Sequence, residues 1–279
     1  MLKKIGLTGS SGLIATELLK RCKKKYTFKK FVGDMTNLAD VENFMKNDFD
    51  VVIHLASIIP KYDQNGMPLN QSFLGNVTGT ENICKMASKY EKKVIFTSTQ
   101  RVYKIQNNVP LNEISDLAPN TDYGKSKLDS EKILQKYLTP KNYTILRISN
   151  IYGTYPIRPS IIDSIAESFL KDEPIKVGLA TKTSRDYIHI FDVIDSLELS
   201  IYKSGIFNIC YGKSYEINTI IEIFENIFGK KSKITFGDYN PENIILDNGK
   251  AKNELNFKPK VDLHKGINLT INLIRNLTI

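Results

Sequence analysis

Short apolar runs alternate with helical patterns along the first two-thirds of the chain. The alternation predicts strands over Lys4–Thr8, Phe28–Val32, Val51–Ala56, Val94–Ser98 and Tyr143–Ile148. Helices are predicted between them, over Leu13–Cys22, Leu38–Met45, Gly75–Tyr90 and Tyr123–Tyr137. A further helix, Asp192–Tyr202, and a strand, Ile206–Cys210, follow. This βαβα rhythm predicts an α/β fold with a parallel sheet and helices on both faces. From about Ser214 the pattern turns helical and then mixed, with Pro241 and Pro259 as punctuation. Neither an internal repeat nor a low-complexity linker breaks the chain, so a second domain is expected to be built from interleaved segments.

Composition narrows the class. The 279 residues are 41% hydrophobic and 25% charged, enough for one large core or two domains sharing an interface. The best apolar run, Val51 to Pro60, is short and interrupted by His54, so no membrane span is expected. Met1-Leu2-Lys3-Lys4 leads straight into the first strand, which predicts no signal peptide and a cytoplasmic protein. Cys22, Cys84 and Cys210 are odd in number and far apart, suggesting a reducing compartment without a disulfide or zinc framework. His54, His189 and His264 show no ligand spacing, so no metal is expected. The net charge of +9 comes from small, scattered lysine runs, as a solvated surface would give. No aromatic RNA-binding signature accompanies it, which favours a small anionic substrate over nucleic acid.

Two segments carry chemistry. The first strand runs into Thr8-Gly9-Ser10-Ser11-Gly12-Leu13-Ile14-Ala15, where Gly9 permits a tight turn and Gly12 lets backbone approach a pyrophosphate at a helix N-terminus. The spacing is G-x-x-G-x-x-A, not G-x-G-x-x-G. Asp34 lies 25 residues after Gly9, near the spacing of an acid that bonds the adenosine ribose. That acid favours NAD; Lys29 and Lys30 nearby leave the 2′-phosphate of NADP as an alternative. The crossover into Asp34 is short, with room for one strand where a full fold has two. The second segment is Tyr123-Gly124-Lys125-Ser126-Lys127. Its phenol and ammonium stand four residues apart on one helical face, and a nearby cation favours the phenolate. Such a phenol can exchange a proton with a sugar or alcohol oxygen near neutral pH. Alone the pair also fits a Tyr packed beside a solvated Lys.

The whole constellation resembles the extended short-chain dehydrogenase/reductases, the NAD-dependent epimerase/dehydratase family. Thr8–Ala15 resembles its T-G-x-x-G-x-x-(G/A) loop, His54-Leu55-Ala56-Ser57 its H-L-A-A strand end, and Asn76–Asn82 its N-V-x-G-T-x-N helix. Phe96–Tyr103 resembles the strand with the catalytic Ser or Thr, Leu146–Gly153 the L-R-x-x-N-x-Y-G segment, and Arg185–Ile190 the R-D-Y-I-H-V segment. Leu246–Pro259 resembles the family's tail. The match covers nearly the whole chain in order.

The resemblance implies a Rossmann-type doubly wound sheet over 1–153 plus about 186–212. A smaller mixed α/β substrate domain would span about 154–185 plus 213–279. It implies catalysis by Thr99, Tyr123 and Lys127. Cofactor contacts would come from Gly9, Ser11, Gly12, Leu13 and Ile14, from Asp34 and Met35, and from Leu55, Ala56 and Ser57, together with Asn76, Tyr123, Lys127 and Ile151. Thr99, Gln100, Asn150 and Arg185 would meet the substrate, a nucleotide sugar or related phosphorylated sugar. His189 reads as structural. A homodimer through the helices at 75–90 and 123–137 is implied as well.

Departures sharpen the expectation. Gln100-Arg101 replaces the Asp-Glu of 4,6-dehydratases, which argues against that reaction. Asn37 and Phe191 stand where Asp is usual, and Thr235-Phe236 where an Arg often meets the diphosphate. The expected activity is NAD(P)-dependent epimerisation of a sugar nucleotide, at C4, by transient hydride transfer. An NAD(P)H-dependent 4-keto-sugar reductase is the alternative, and a non-catalytic NAD(P)-sensing or RNA-binding member of the fold is the third.

Overall fold

A computed structural model describes residues 3–58, 74–106, 109–157, 159–177, 183–236 and 243–278. Ile59 and Pro60 of the apolar run, Pro241, and Gly237-Asp238 beside Phe236 lie outside the described residues. In chain order the elements open with β1 (Lys3–Thr8), α1 (Leu13–Cys22), β2 (Tyr26–Lys30), α2 (Leu38–Met45), β3 (Val51–His54), α3 (Leu74–Lys89) and β4 (Lys93–Thr99). A 3-10 turn at Gln100–Val102 follows, then β5 (Pro110–Leu111), α4 (Asp122–Tyr137), β6 (Tyr143–Ile148), β7 (Asn150–Tyr152), α5 (Ile161–Lys171) and β8 (Ile175–Val177). The rest is β9 (Ser184–His189), α6 (Ile190–Ser200), β10 (Gly205–Ile209), β11 (Ser214–Glu216), α7 (Ile217–Phe228), β12 (Ile234–Phe236), β13 (Ile245–Leu246), α8 (Gly249–Glu254) and α9 (Leu263–Thr278). None of the described helices is long and apolar enough to cross a membrane.

The chain divides into two compact units. The first comprises Met1–Lys104, Ser115–Arg147 and Leu197–Phe207; the second comprises Ile105–Ile114, Ile148–Ser196 and Asn208–Ile279.

A six-stranded parallel sheet of order β10-β6-β4-β3-β1-β2 organises the first unit, the Rossmann arrangement the motifs imply. All four β3 residues are buried, as a central parallel strand covered on both faces requires. Phe44, Met45 and Phe49 pack against Ile83, Ala87, Phe96 and Leu134 in one core, so α2, α3 and α4 share one face of the sheet. Only β2 lies beyond β1, where a 3-2-1-4-5-6 order has two strands. The short crossover therefore carries one strand. That strand is Tyr26–Lys30, earlier than Phe28–Val32, because β1 offers parallel partners only from Lys3 opposite Tyr26 to Leu7 opposite Lys30. Beyond it the chain leaves the sheet, and Val32 is 88% exposed. Lys29 and Lys30 stand exposed on this edge, where lysines discourage pairing with another chain. Asn37, in place of the usual Asp, caps α2 by accepting the Ala39 amide at 2.9 Å, a role either residue fills.

Short strands that no hydrophobic period announces build the second unit. In its three-stranded sheet β9 is central, antiparallel to β11 and parallel to β7. The pairs β12–β8 and β13–β5 are also parallel. The core gathers Ile162, Ile165 and Phe169 of α5, Ile220 and Phe224 of α7, and Ile267, Ile271 and Ile274 of α9. A capping box between Ser160 and Asp163 starts α5.

Candidate active site

The end of β1 turns on Gly9, at φ +65, into α1. The Gly12 amide donates to the Gly9 carbonyl at 3.0 Å and Gly12 becomes the N-cap of α1, in extended backbone without a side-chain cap. The first helical turn carries no acidic residue. Amides uncapped by side chains at the positive end of a helix suit a phosphate. Ser11 and Gly12 are exposed there, Leu13 and Ile14 half-buried, and Ala15 is packed away.

The loop after β3 lies against this turn. A Cβ on Gly9 would come within 2.6 Å of the Ala56 amide nitrogen. Leu55, Ala56 and Ser57 are half-buried. Asn76 of α3 holds the chain just beyond them: its Oδ1 accepts the Ile58 amide at 2.6 Å and its Nδ2 donates to the Ile58 carbonyl at 2.9 Å. Asn76 thus shapes the loop through its backbone. Beneath the two loops His54 is buried between Thr8 and Thr80.

Past β2 the chain folds back at Asp34 and Met35. The exposed Asp34 carboxylate accepts both the amide and the hydroxyl of Thr36 at 2.8 Å, and these bonds hold its pKa below the usual carboxylate range. The Asp34 amide donates to Asp40, and Asn82 Nδ2 donates to the carbonyls of Met35 and Thr36, both at 3.0 Å. This turn is fixed from α2 and α3, with its acid free to face outward.

Tyr123 and Lys127 stand on α4 where it packs against the end of β4. Thr121 caps α4 by accepting the Gly124 amide at 3.1 Å, which places Tyr123 and Lys127 in the first turns. Lys127 is buried; its ammonium donates to the Thr97 carbonyl at 2.9 Å. It stands 4.6 Å from the Phe96 ring centroid and 5.9 Å from that of Tyr123. Burial pushes the Lys127 pKa down to about 7, against the opposing field of Glu131. Thr99 is half-exposed; its Oγ1 accepts the Arg101 amide at 3.3 Å, which leaves the hydroxyl proton to donate. Gln100 is buried, and its Oε1 has no partner among the described residues. Lys127 therefore stands beside the Tyr123 ring and is bonded to β4 two residues before Thr99, all within the first unit.

Asn150, Ile151 and Arg185 lie in the second unit, on paired strands: Asn150 faces Tyr187 and Ile151 faces Ile188 across β7 and β9. Asn150 Nδ2 donates to the Asp186 carbonyl at 2.9 Å. The Asp186 carboxylate accepts Ser149 Oγ and the amides of Tyr211 and Gly212, and burial nonetheless raises its pKa to about 6. His189 packs edge-on to Tyr152 and Phe191 and accepts the Phe191 amide at Nδ1, a structural placement. Among the described residues no group of three or more His, Cys, Asp or Glu could hold a metal.

Two features escaped sequence reading. One is the Asp186 clamp, hidden inside the R-D-Y-I-H stretch. The other is a buried cluster of Ser98, Glu131 and Arg147 behind Lys127. Its members are 33 and 16 residues apart, so only the i, i+4 step from Lys127 to Glu131 could have pointed to it.

The family model described as "NAD dependent epimerase/dehydratase family" matches residues 5–210. The chain belongs to this family. It is an NAD-dependent enzyme of the extended short-chain dehydrogenase/reductase type, in the group of sugar-nucleotide epimerases, dehydratases and reductases. It is 28% identical to the UDP-glucose 4-epimerase of Bacillus subtilis over 90% of this chain and 84% of that one. It is 32% identical to a dTDP-4-dehydro-6-deoxyglucose reductase of Escherichia coli, over 82% of this chain and 76% of that one. Its fold is that of the Thermotoga maritima UDP-glucose 4-epimerase solved with UDP-glucose, at a TM-score of 0.85, 23% identity, and 99% and 100% coverage. The uncapped, acid-free N-terminus of α1 and the buried Lys127 beside Tyr123 fit the cofactor of this family.

Proposed function

We propose that this protein is an NAD-dependent sugar-nucleotide epimerase that inverts the C4 carbinol of a UDP-hexose. The observation that carries the reading is the buried Lys127 beside the Tyr123 ring, bonded to β4 two residues before the half-exposed Thr99. The likeness to the Bacillus subtilis enzyme supports the choice of UDP-glucose and UDP-galactose as first substrates. Gln100-Arg101 after Thr99 speaks against dehydration, since neither side chain supplies the carboxyl pair that elimination of water would use.

In this reading Tyr123 takes the C4 hydroxyl proton as phenolate and returns it as phenol. Lys127 stabilises the phenolate with its positive charge. Thr99 donates a hydrogen bond to the same oxygen and fixes its direction. Bound NAD supplies the hydride acceptor and donor at the adjoining carbon. Asn150 and Arg185 hold the rest of the substrate, Arg185 through the fork geometry that suits phosphate. Two protein molecules pair through α3 and α4.

The deciding experiment is incubation of purified protein with UDP-galactose without added cofactor. Conversion to UDP-glucose with enzyme-bound NAD and no net reduced cofactor supports the epimerase. A second reading, a reductase of 4-keto sugar nucleotides, has its own support in the 32% identity to the Escherichia coli reductase. Stoichiometric NADH or NADPH consumption with a dTDP-4-keto-6-deoxy sugar, and no UDP-hexose interconversion, would establish that reading instead.

A further inference from the structure

Two consecutive residues at the end of β4 meet α4 in step. The Thr97 carbonyl accepts the Lys127 ammonium and the Ser98 hydroxyl donates to Glu131 Oε1 at 2.5 Å; Thr99 is the next residue of the strand. Tyr123, Lys127 and Glu131 are spaced by four and share one face of α4. Glu131 is fully buried. Arg147 of β6 closes on it, with Nε at 3.1 and 3.2 Å from the two carboxylate oxygens and Nη2 at 2.7 Å from Oε2. Arg147 Nη1 donates to Tyr103 Oη at 3.0 Å. One carboxylate thus ties together β4, β6 and α4.

A buried ion pair is weak evidence for stability, because apolar residues of similar volume often replace it without loss. Apolar residues could fill this space. They could not set a negative charge one helical turn from Lys127. Tyr123 is the group the lysine would serve, and the other described titratable groups nearby do not offer one. His54 of β3 is pushed far towards its neutral form by burial, and Tyr103 accepts from Arg147. On α3, Glu81 and Lys85 pair with each other and reach Tyr137, at the other end of α4. Among the described residues Glu131 is the group whose field opposes the desolvation of Lys127.

We propose that Glu131, held by Ser98 and Arg147, is a positioning residue that fixes Lys127 relative to Thr99 and keeps the Lys127 ammonium charged beside Tyr123. The inference rests on the reading of Tyr123 and Lys127 as the proton-handling pair. Its test combines two readouts on the full-length enzyme. The first is the titration of the Lys127 side-chain nitrogen by NMR with 15N-labelled lysine, the signal assigned by its loss in Lys127→Arg. The second is the pH profile of UDP-galactose turnover. In Glu131→Gln the Lys127 midpoint falls by about one pH unit or more, and the alkaline limb of the rate profile moves down with it. In Ser98→Ala the ion pair persists and only the tie to β4 is lost, so kcat falls on the order of tenfold while KM stays near its wild-type value. Glu131→Asp recovers part of the lost shift. If Glu131→Gln does not fold, Ser98→Ala and Glu131→Asp carry the test. An unmoved Lys127 midpoint and pH profile in the folded Glu131 variants, or an unmoved kcat in Ser98→Ala, overturns the proposal. The NMR titration needs no turnover: a wild-type enzyme that converts no UDP-hexose overturns the proposed function and leaves that result standing.

Discussion

Thr8 Oγ1 lies 2.7 Å from His54 Nδ1, and the proton between them belongs to the threonine. The direction follows from the far side of the ring. The Thr80 hydroxyl spends its proton on the Asn76 carbonyl at 2.7 Å, so at 3.0 Å from His54 Nε2 it accepts. The ring therefore carries its proton on Nε2, and Nδ1 accepts from Thr8, whose oxygen accepts in turn from the Ala56 amide. A second ring proton would face the Thr8 proton. Burial, with Lys127 nearby, drives the His54 pKa down to about 3 from 6.5. The folded pKa lies below the unfolded one, so stability present above pH 6.5 is lost as the pH falls towards 3. The full loss is on the order of 5 kcal/mol. Urea midpoints of the wild type should fall between pH 7 and pH 4.5. His54→Gln, which keeps a donor for Thr80 and has no site to protonate, should fall less. Equal acid slopes for the two proteins would contradict the assignment.

Gly9 and Gly12 should separate folding from cofactor binding. At Gly9 an alanine meets positive φ and the Ala56 backbone at 2.6 Å, neither of which can yield cheaply. Gly9→Ala should cost roughly 2 kcal/mol and lower the melting temperature in the absence of ligand. At Gly12 the backbone is extended, and a Cβ would meet only the Gly9 carbonyl, at 3.3 Å. Gly12→Ala should melt near the wild type, yet the added methyl stands at the helix end where a pyrophosphate would approach. The rise in melting temperature on adding NAD should therefore shrink in Gly12→Ala. A full NAD response in that variant would move the phosphate site elsewhere.

Much of the first unit was legible because its signals are local. The strand expected over Val51–Ala56 forms as Val51–His54, read from adjacent apolar residues, and Leu38–Met45 and Tyr143–Ile148 begin and end where the pattern says. The glycine turn and the Tyr123–Lys127 step are likewise written within eight residues of chain. The second unit was not legible in this way. Asn150–Tyr152 and Ser214–Glu216 are three residues each, too short for a period, and they exist because β9 lies between them. Asp186 illustrates the same limit at the level of a side chain. Its partners Ser149, Tyr211 and Gly212 are set by strand pairing, and no spacing rule joins positions 149, 186 and 211. The register of β2 failed for a related reason: where it ends is decided by the length of β1.

Removing the Tyr123 hydroxyl tests the chemistry with little disturbance to the fold. The ring is half-buried at the start of α4, and phenylalanine keeps its packing. Turnover in Tyr123→Phe should fall at least roughly a thousandfold, in the range that general acid–base groups contribute. The melting-temperature response to NAD should be preserved, since the α1 end and the Asp34 turn are untouched. Activity near the wild-type level would remove Tyr123 from the mechanism.

Lys127→Met should trade activity for stability, and the exchange should depend on pH. The ammonium is buried, and its pKa falls to about 7 in the folded chain from 10.5. Between those values the unfolded chain binds the extra proton, so stability rises with pH across the window, and the burden of the charge is fully present below pH 7. A methionine fills the same space and removes that burden, at the loss of one bond to the Thr97 carbonyl. Its melting temperature should exceed that of the wild type more at pH 6.5 than at pH 9.5, with at most about 3 kcal/mol separating the two conditions. Turnover should be lost at both. If the variant is instead less stable than the wild type at pH 6.5, the ammonium is a net stabilising group, and the field of Glu131 outweighs the desolvation that burial imposes.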